Sequence, residues 1–190
     1  MQRGANTEAI SHLTSALEVL KTLPNTPELL QQELTLQITL GRAVVAIKGP
    51  PAQEVEQIYN RARMLCRQIG DTSQLYFVLH GIWIFHIGRG QLRELGEQFL
   101  RLVQDSQDPL FLPGAHFQLG LTLSNCGELA SARLHLEEAI ARYDPQWHRP
   151  GRSHALLAIN DIRVTSLSIL ALTLWWLGYP DQARRRIQEA

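Results

Sequence analysis

Seven histidines, His12, His80, His86, His116, His135, His148 and His154, are the side chains here best suited to hold a metal or move a proton. A metal site on one helix sets two of them at i, i+3 or i, i+4 so that both imidazoles share a face, and no pair in this chain has either spacing. His80 and His116 therefore read as packing residues, and His148 and His154 as solvated ones. Glu137 and Glu138 are neighbouring carboxylates, yet adjacent helical side chains diverge, so they read as a solvated face and not as an acid and base pair. Arg184, Arg185 and Arg186 fit the charge preference of a helix end without any need for a phosphate. The motifs G-x-x-x-x-G-K-[ST], H-E-x-x-H and G-x-S-x-G are all absent, and Gly88, Gly90 and Gly96 lack phosphate-cradling spacing. No enzyme, no cofactor and no metal site is expected.

Eighteen basic residues balance eighteen acidic ones, which gives no electrostatic footprint for nucleic acid or an anionic membrane. The two cysteines, Cys66 and Cys126, stand in no C-x-x-C context, which fits a reducing compartment, and both read as small buried apolar residues. The N-terminus shows no signal-peptide pattern, and the most apolar stretch, 166–177, is too short to span a bilayer. The expectation is a cytoplasmic protein with no nucleic-acid and no membrane partner.

Helices must position whatever this chain does. One triplet recurs three times: Gly4, Ala9, Ala16; Gly127, Ala132, Ala139; Gly178, Ala183, Ala190. Two small residues seven apart share a helix face and admit a close neighbour, while the preceding glycine suits a chain reversal. Asn6 or Thr7 is expected to cap a first helix, Thr26-Pro27 to open a second that runs to Lys48, and Asp161 to open a late one. The segment from Thr72 to Ile87 is apolar nearly all round and should be covered on more than one side. Arg61, Arg63 and Arg67 are expected to face water. No period-two alternation argues for a strand.

The spacing of Leu119-Gly120, Leu123, Gly127, Ala132, Leu136 and Ala139 before Asp144-Pro145 resembles the tetratricopeptide repeat. Leu170-Ala171, Leu174, Gly178, Ala183, Ile187 and Ala190 repeat it, and Leu40-Gly41 and His80-Gly81 look like first helices of further units. The resemblance implies an all-α fold, an α-α superhelix: a right-handed solenoid of antiparallel hairpins with about nine helices. Residues 1–190 are expected to form a single array with a leading helix at 6–23, hairpins at 27–69, 72–105, 109–143 and 161–190, and a long connection at 146–160. The register of 90–102 stays open, because Gly96 stands there without an alanine pair.

The stretches RGANTEAISHLTSALEVLKTLP, EVEQIYNRARMLCRQIG, ARLHLEEAIARYDP and LGYPDQA resemble the repeat region of large bacterial signalling ATPases. In such proteins a nucleotide-cyclase, kinase or DNA-binding output domain and a P-loop ATPase module precede the repeats. The resemblance implies a piece of a longer protein and a scaffold for protein-protein or intramolecular regulatory contacts, the partner being a protein, a peptide or the parent's own ATPase or output domain. A small-molecule effector sensor is the alternative, and an edge-to-edge homodimer is an expected hazard. By family register the concave groove draws on Arg42 and Val45, on Ile82, Phe85 and His86, on Phe117, Leu121, Ser124 and Asn125, and on Leu172, Trp175 and Trp176.

Overall fold

The computed structural model describes residues 2–49, 52–70, 74–86, 93–106, 111–146 and 161–190, without the side chains of 2–5 and 105–106. Among the described residues every regular element is an α-helix. These are α1 (Gln2–Lys21), α2 (Pro27–Lys48), α3 (Gln53–Ile69), α4 (Leu75–His86), α5 (Arg93–Ser106), α6 (Leu112–Asn125), α7 (Leu129–Ala141), α8 (Ile162–Trp176) and α9 (Pro180–Glu189). They divide between two compact units, Met1–Ile87 and Gly88–Ala190. Within each unit every helix packs on the next, and α2 also touches α4 as α6 touches α8, the pattern of stacked helical hairpins. Of the expected helix breaks, Gly49 and Gly70 close α2 and α3 at positive φ, while Pro50-Pro51, Asp71, Gly88-Arg89-Gly90 and Asp108-Pro109 lie outside the described residues. So does all but the first residue of the 146–160 connection, with Trp147, His148, Pro150, Gly151 and His154.

The first unit is organised around one aromatic ring. Thr26 opens α2, its Oγ1 accepting from the Leu29 amide at 3.4 Å, with Pro27 at the first helical position. Helix α3 buries Val55, Tyr59, Ala62, Leu65 and Cys66 along one stripe and ends at Gly70 in the left-handed region. The Tyr59 ring lies between two glycines. A Cβ placed on Gly41 of α2 would stand 2.6 Å from it, and one on Gly81 of α4 2.2 Å. The bare stations of α2 and α4 thus exist to admit Tyr59, and burial pushes its phenol up to about 12. Arg61 does not simply face water as expected: its guanidinium forks onto Glu33 of α2 at 2.7 and 2.8 Å. Helix α4 is buried on most sides, as its composition predicts. His80 stacks with Tyr76 and Trp83, and burial pushes its imidazole down to about 4.

The expected start of the first helix is not found. Helix α1 begins at Gln2, so Gly4 lies inside a helix instead of in a turn, and neither Asn6 nor Thr7 caps it. A glycine inside a helix costs only about 1 kcal/mol relative to alanine, less than the intrahelical bonds gained by extending past it. Of its stripe Leu17 is buried, while Ile10, Leu13 and Leu20 are half-buried.

In the second unit the triplets behave as read up to Ala183, whereas Ala190 lies past the end of α9 and is exposed, as is Cys126 against its expected burial. Gly127 and Gly178 adopt φ of 79° and 86° and close the same motif. The Glu128 amide donates to the Leu123 carbonyl and the Tyr179 amide to the Leu174 carbonyl, each at 2.9 Å, which uses carbonyls that α6 and α8 leave unpaired. Ala132, Ala139 and Ala183 are all buried. Leu136, Leu170, Leu174 and Ala183 form one apolar cluster joining α7, α8 and α9, with Phe117, Ile140 and Ile169 packed against it. Asp161 caps α8, its Oδ1 accepting from the amides of Arg163 (2.8 Å) and Val164 (3.3 Å). Gly96 settles the register of α5: a Cβ there would lie 3.1 Å from Leu119, so the glycine brings α5 close to α6.

Candidate interaction surface

The groove residues expected from the sequence fall in both units. In the first, Arg42, Val45 and His86 are half-buried, whereas Ile82 and Phe85 are core, 6% and 2% exposed. Their apolar side chains are spent on packing, so this unit offers a partner only Arg42, Val45 and His86 from the set. The Phe85 ring meets the His86 imidazole edge-on at a centroid distance of 4.9 Å.

In the second unit Phe117 and Leu121 are half-buried, Ser124 is buried, and Asn125, Leu172, Trp175 and Trp176 are exposed. The contacts sort these residues into two faces. Ser124 pairs its hydroxyl with that of Thr173 in α8 at 3.2 Å, and Phe117 packs against the cluster built on Leu170 and Leu174. With Leu121, at helical spacing between them, they form the side of α6 that receives α8. Asn125 lies about 100° round the helix from Ser124 and stays in water. Superposing the repeat puts Leu119 on Leu170, Gly127 on Gly178 and Asn125 on Trp176. The 125/176 station is open in both hairpins.

No protein-family model matches this chain, and no curated protein matches it significantly.

A cleft of about 270 Å³ opens between α5, α6 and the start of α7, and none of the expected groove residues lines it. Leu100, Leu119 and Leu123 supply apolar walls; Arg93, Glu97, Arg101, Glu128, Ser131 and His135 supply polar ones. Arg93 ties the rim together, donating to Glu97 at 3.0 Å and to Glu128 at 2.6 Å. These bonds hold its guanidinium above the usual range, the Glu97 bond most. The cleft escaped sequence reasoning because its rim joins α5 to a residue of the α6–α7 turn. The i, i+4 series Arg93, Glu97, Arg101 was its one local trace.

Tertiary packing also joins two histidines that no spacing rule could pair. His116 of α6 and His135 of α7 approach Nδ1 to Nδ1 at 3.1 Å, one ring donating to the other. Burial first, then the neighbouring His135 and Arg142, push His116 down to about 4 against the opposing pull of Glu138; burial also lowers His135. Among the described residues no group of three or more metal-ligating side chains gathers. The pair has a pH consequence. With the native pKa of His116 depressed, the unfolded chain binds more protons between about pH 6.5 and pH 4, so stability present above that window is lost as pH falls through it. His116→Leu, which installs the residue of the matching station Leu167, should remove part of this slope. The denaturant midpoint of the wild type is expected to fall between about pH 7 and pH 5, and that of H116L to fall less. Identical slopes by urea titration would exclude the His116 contribution.

Proposed function

We propose that this chain is a non-catalytic binding scaffold: a tetratricopeptide-like helical-repeat module that holds a protein or peptide partner within a bacterial, cytoplasmic signalling protein carrying a P-loop ATPase and an output domain. The observation that carries the reading is Trp176. Its indole is 58% exposed at a station that Asn125 also leaves open one hairpin earlier, so packing explains neither residue. An exposed indole beside an amide suits peptide recognition, where aromatic anchors supply most of the affinity. A ligand bridging stacked hairpins would stiffen them and bias an attached domain, because each hairpin is stabilised mainly by its neighbours. The relation to signalling ATPases is supported by the sequence stretches alone.

The test is selection of displayed peptides on the purified protein, followed by affinity measurement with Trp176→Ser and Asn125→Ala. The expected result is one enriched sequence class whose affinity drops about tenfold or more in W176S. A class bound equally by wild type and both variants would refute the assignment of this face.

The α5–α6–α7 cleft favours a second reading, an effector sensor for a small molecule with an apolar body and polar ends. A melting shift with metabolites that Leu123→Arg abolishes, together with no peptide enrichment, would select it over the scaffold.

A further inference from the structure

The repeat supplies its own control for which surfaces are meant to be covered. Ser124 and Leu136, on the side of the α6–α7 hairpin that receives α8, are 6% and 0% exposed. The matching stations of the α8–α9 hairpin are Trp175 and Ile187, and they are 63% and 52% exposed. Leu172, which matches the half-buried Leu121, is 49% exposed and follows the same α8 face. The stretch from Leu119 to Ala139 and that from Leu170 to Ala190 share turn geometry, small stations and leucine stations. The difference at these positions is therefore that no helix among the described residues covers them, and not a change of fold.

We infer that the Leu172, Trp175 and Ile187 face docks the first helix of a further hairpin of this same repeat pattern. The existing α6–α7 contact with α8 defines that helix, since docking continues the same packing by one step. It carries leucines at the stations of Leu170 and Leu174, which here enclose Leu136 and would there enclose Ile187. Two exchanges of size make the match specific. Trp175 replaces the small Ser124 that faces Thr173, so the docked helix carries alanine or glycine at the Thr173 station. Ser168 replaces Phe117 at the other end of the row, so the docked helix fills that space with a larger side chain. The helices of this chain that carry the leucine and small-residue pattern are already buried in their own hairpins, which disfavours a second copy as occupant. The inference stands apart from the peptide reading, which uses Trp176 and Asn125 on a different face.

The probe is a fluorescein-labelled peptide with the sequence of residues 162–176 carrying Thr173→Ala, Trp175→Ser and Trp176→Asn, held helical by a side-chain lactam and checked by circular dichroism. It is titrated into the 190-residue protein and read by anisotropy. Saturable binding below ~1 mM is expected, weakened about tenfold or more by Ile187→Asp or Leu172→Asp and unchanged by Leu134→Asp, an exposed site on α7. All three substitutions fall on exposed side chains, and matching melting curves verify that the variants fold. A peptide with Thr173→Phe should bind about tenfold worse than the alanine form. No saturation, equal binding by I187D and wild type, or no loss with phenylalanine would overturn the inference. A concentration-dependent dimer that I187D abolishes in sedimentation would assign the face to a second copy and overturn it too.

Discussion

Gly81→Ala is expected to destabilise the first unit by about 2–3 kcal/mol, against the usual gain of about 1 kcal/mol when alanine replaces glycine inside a helix. The new Cβ would lie 2.2, 2.3 and 2.5 Å from Tyr59 ring atoms, distances that van der Waals contact does not permit. Tyr59 cannot step aside. Its ring is 1% exposed, and on the side of α2 it already meets Gly41, where a Cβ would come within 2.6 Å. Either α3 and α4 separate or the ring leaves its rotamer, and both loosen the stripe of Val55, Ala62 and Leu65 that packs with it. Denaturant unfolding gives the magnitude, and hydrogen exchange of α2–α4 amides shows that this unit carries it. Tyr59→Ala alone should cost about 3–5 kcal/mol, and adding Gly81→Ala to it should cost nothing further, because the clash has gone. A G81A protein as stable as wild type would refute the sandwich. Gly96→Ala is the contrast, since its Cβ is crowded only by the Leu119 Cδ1 methyl, at 3.1 Å, and stands at ordinary contact distance (3.5 and 3.7 Å) from the Cα and Cβ of that residue, and the helix-propensity gain should leave it near neutral.

Leu136→Ala should cost about 3 kcal/mol in the second unit, while Ile187→Ala at the same repeat station should cost about 0.5 kcal/mol. The chemistry removed is nearly the same, so the difference measures one neighbour. Leu136 belongs to the buried cluster of Leu170, Leu174 and Ala183, lies against Gly120 of α6 and sees no solvent, so truncating it opens a cavity inside that cluster. Ile187 has α8 on one side and water on the other, and water fills the space that truncation leaves. Unfolding in urea with amide exchange in α7 and α9 checks both values. Equal costs at the two stations would mean that the hairpins do not pack as repeats of each other. In the presence of a docked helix the cost of Ile187→Ala should rise toward that of Leu136→Ala, which links this prediction to the surface inferred above.

Local chemistry carried the sequence reading a long way. Thr26-Pro27 and Asp161 announce helix starts because a side-chain oxygen and a proline ring meet needs that arise within one turn. Gly127 and Gly178 announce reversals because their backbone conformation excludes most other residues, and Ala132, Ala139 and Ala183 are buried where the spacing places them, while Ala190, just past the end of α9, is exposed. The same local reasoning failed at Gly4, which is tolerated inside α1 at small cost. It was also silent wherever two distant segments decide a residue's role together. Ser124 reads as a groove residue by register alone, and its bond to Thr173 makes it a packing residue. His116 and His135 have no meaningful spacing, and only the crossing of α6 and α7 joins them.

By itself, then, the sequence determined that the chain is helical, where most helices begin and end, and which small stations let neighbours approach, because each of these follows from interactions within one or two turns. The tertiary structure alone decided that Tyr59 is what fills the gap between Gly41 and Gly81, that Ile82 and Phe85 are core, that a charged cleft forms at α5, α6 and α7, and that Trp175 and Ile187 stand uncovered where Ser124 and Leu136 are enclosed. Those outcomes depend on which side of a helix its neighbour occupies. A periodic pattern marks a face as apolar, but only the packed chain shows what covers it.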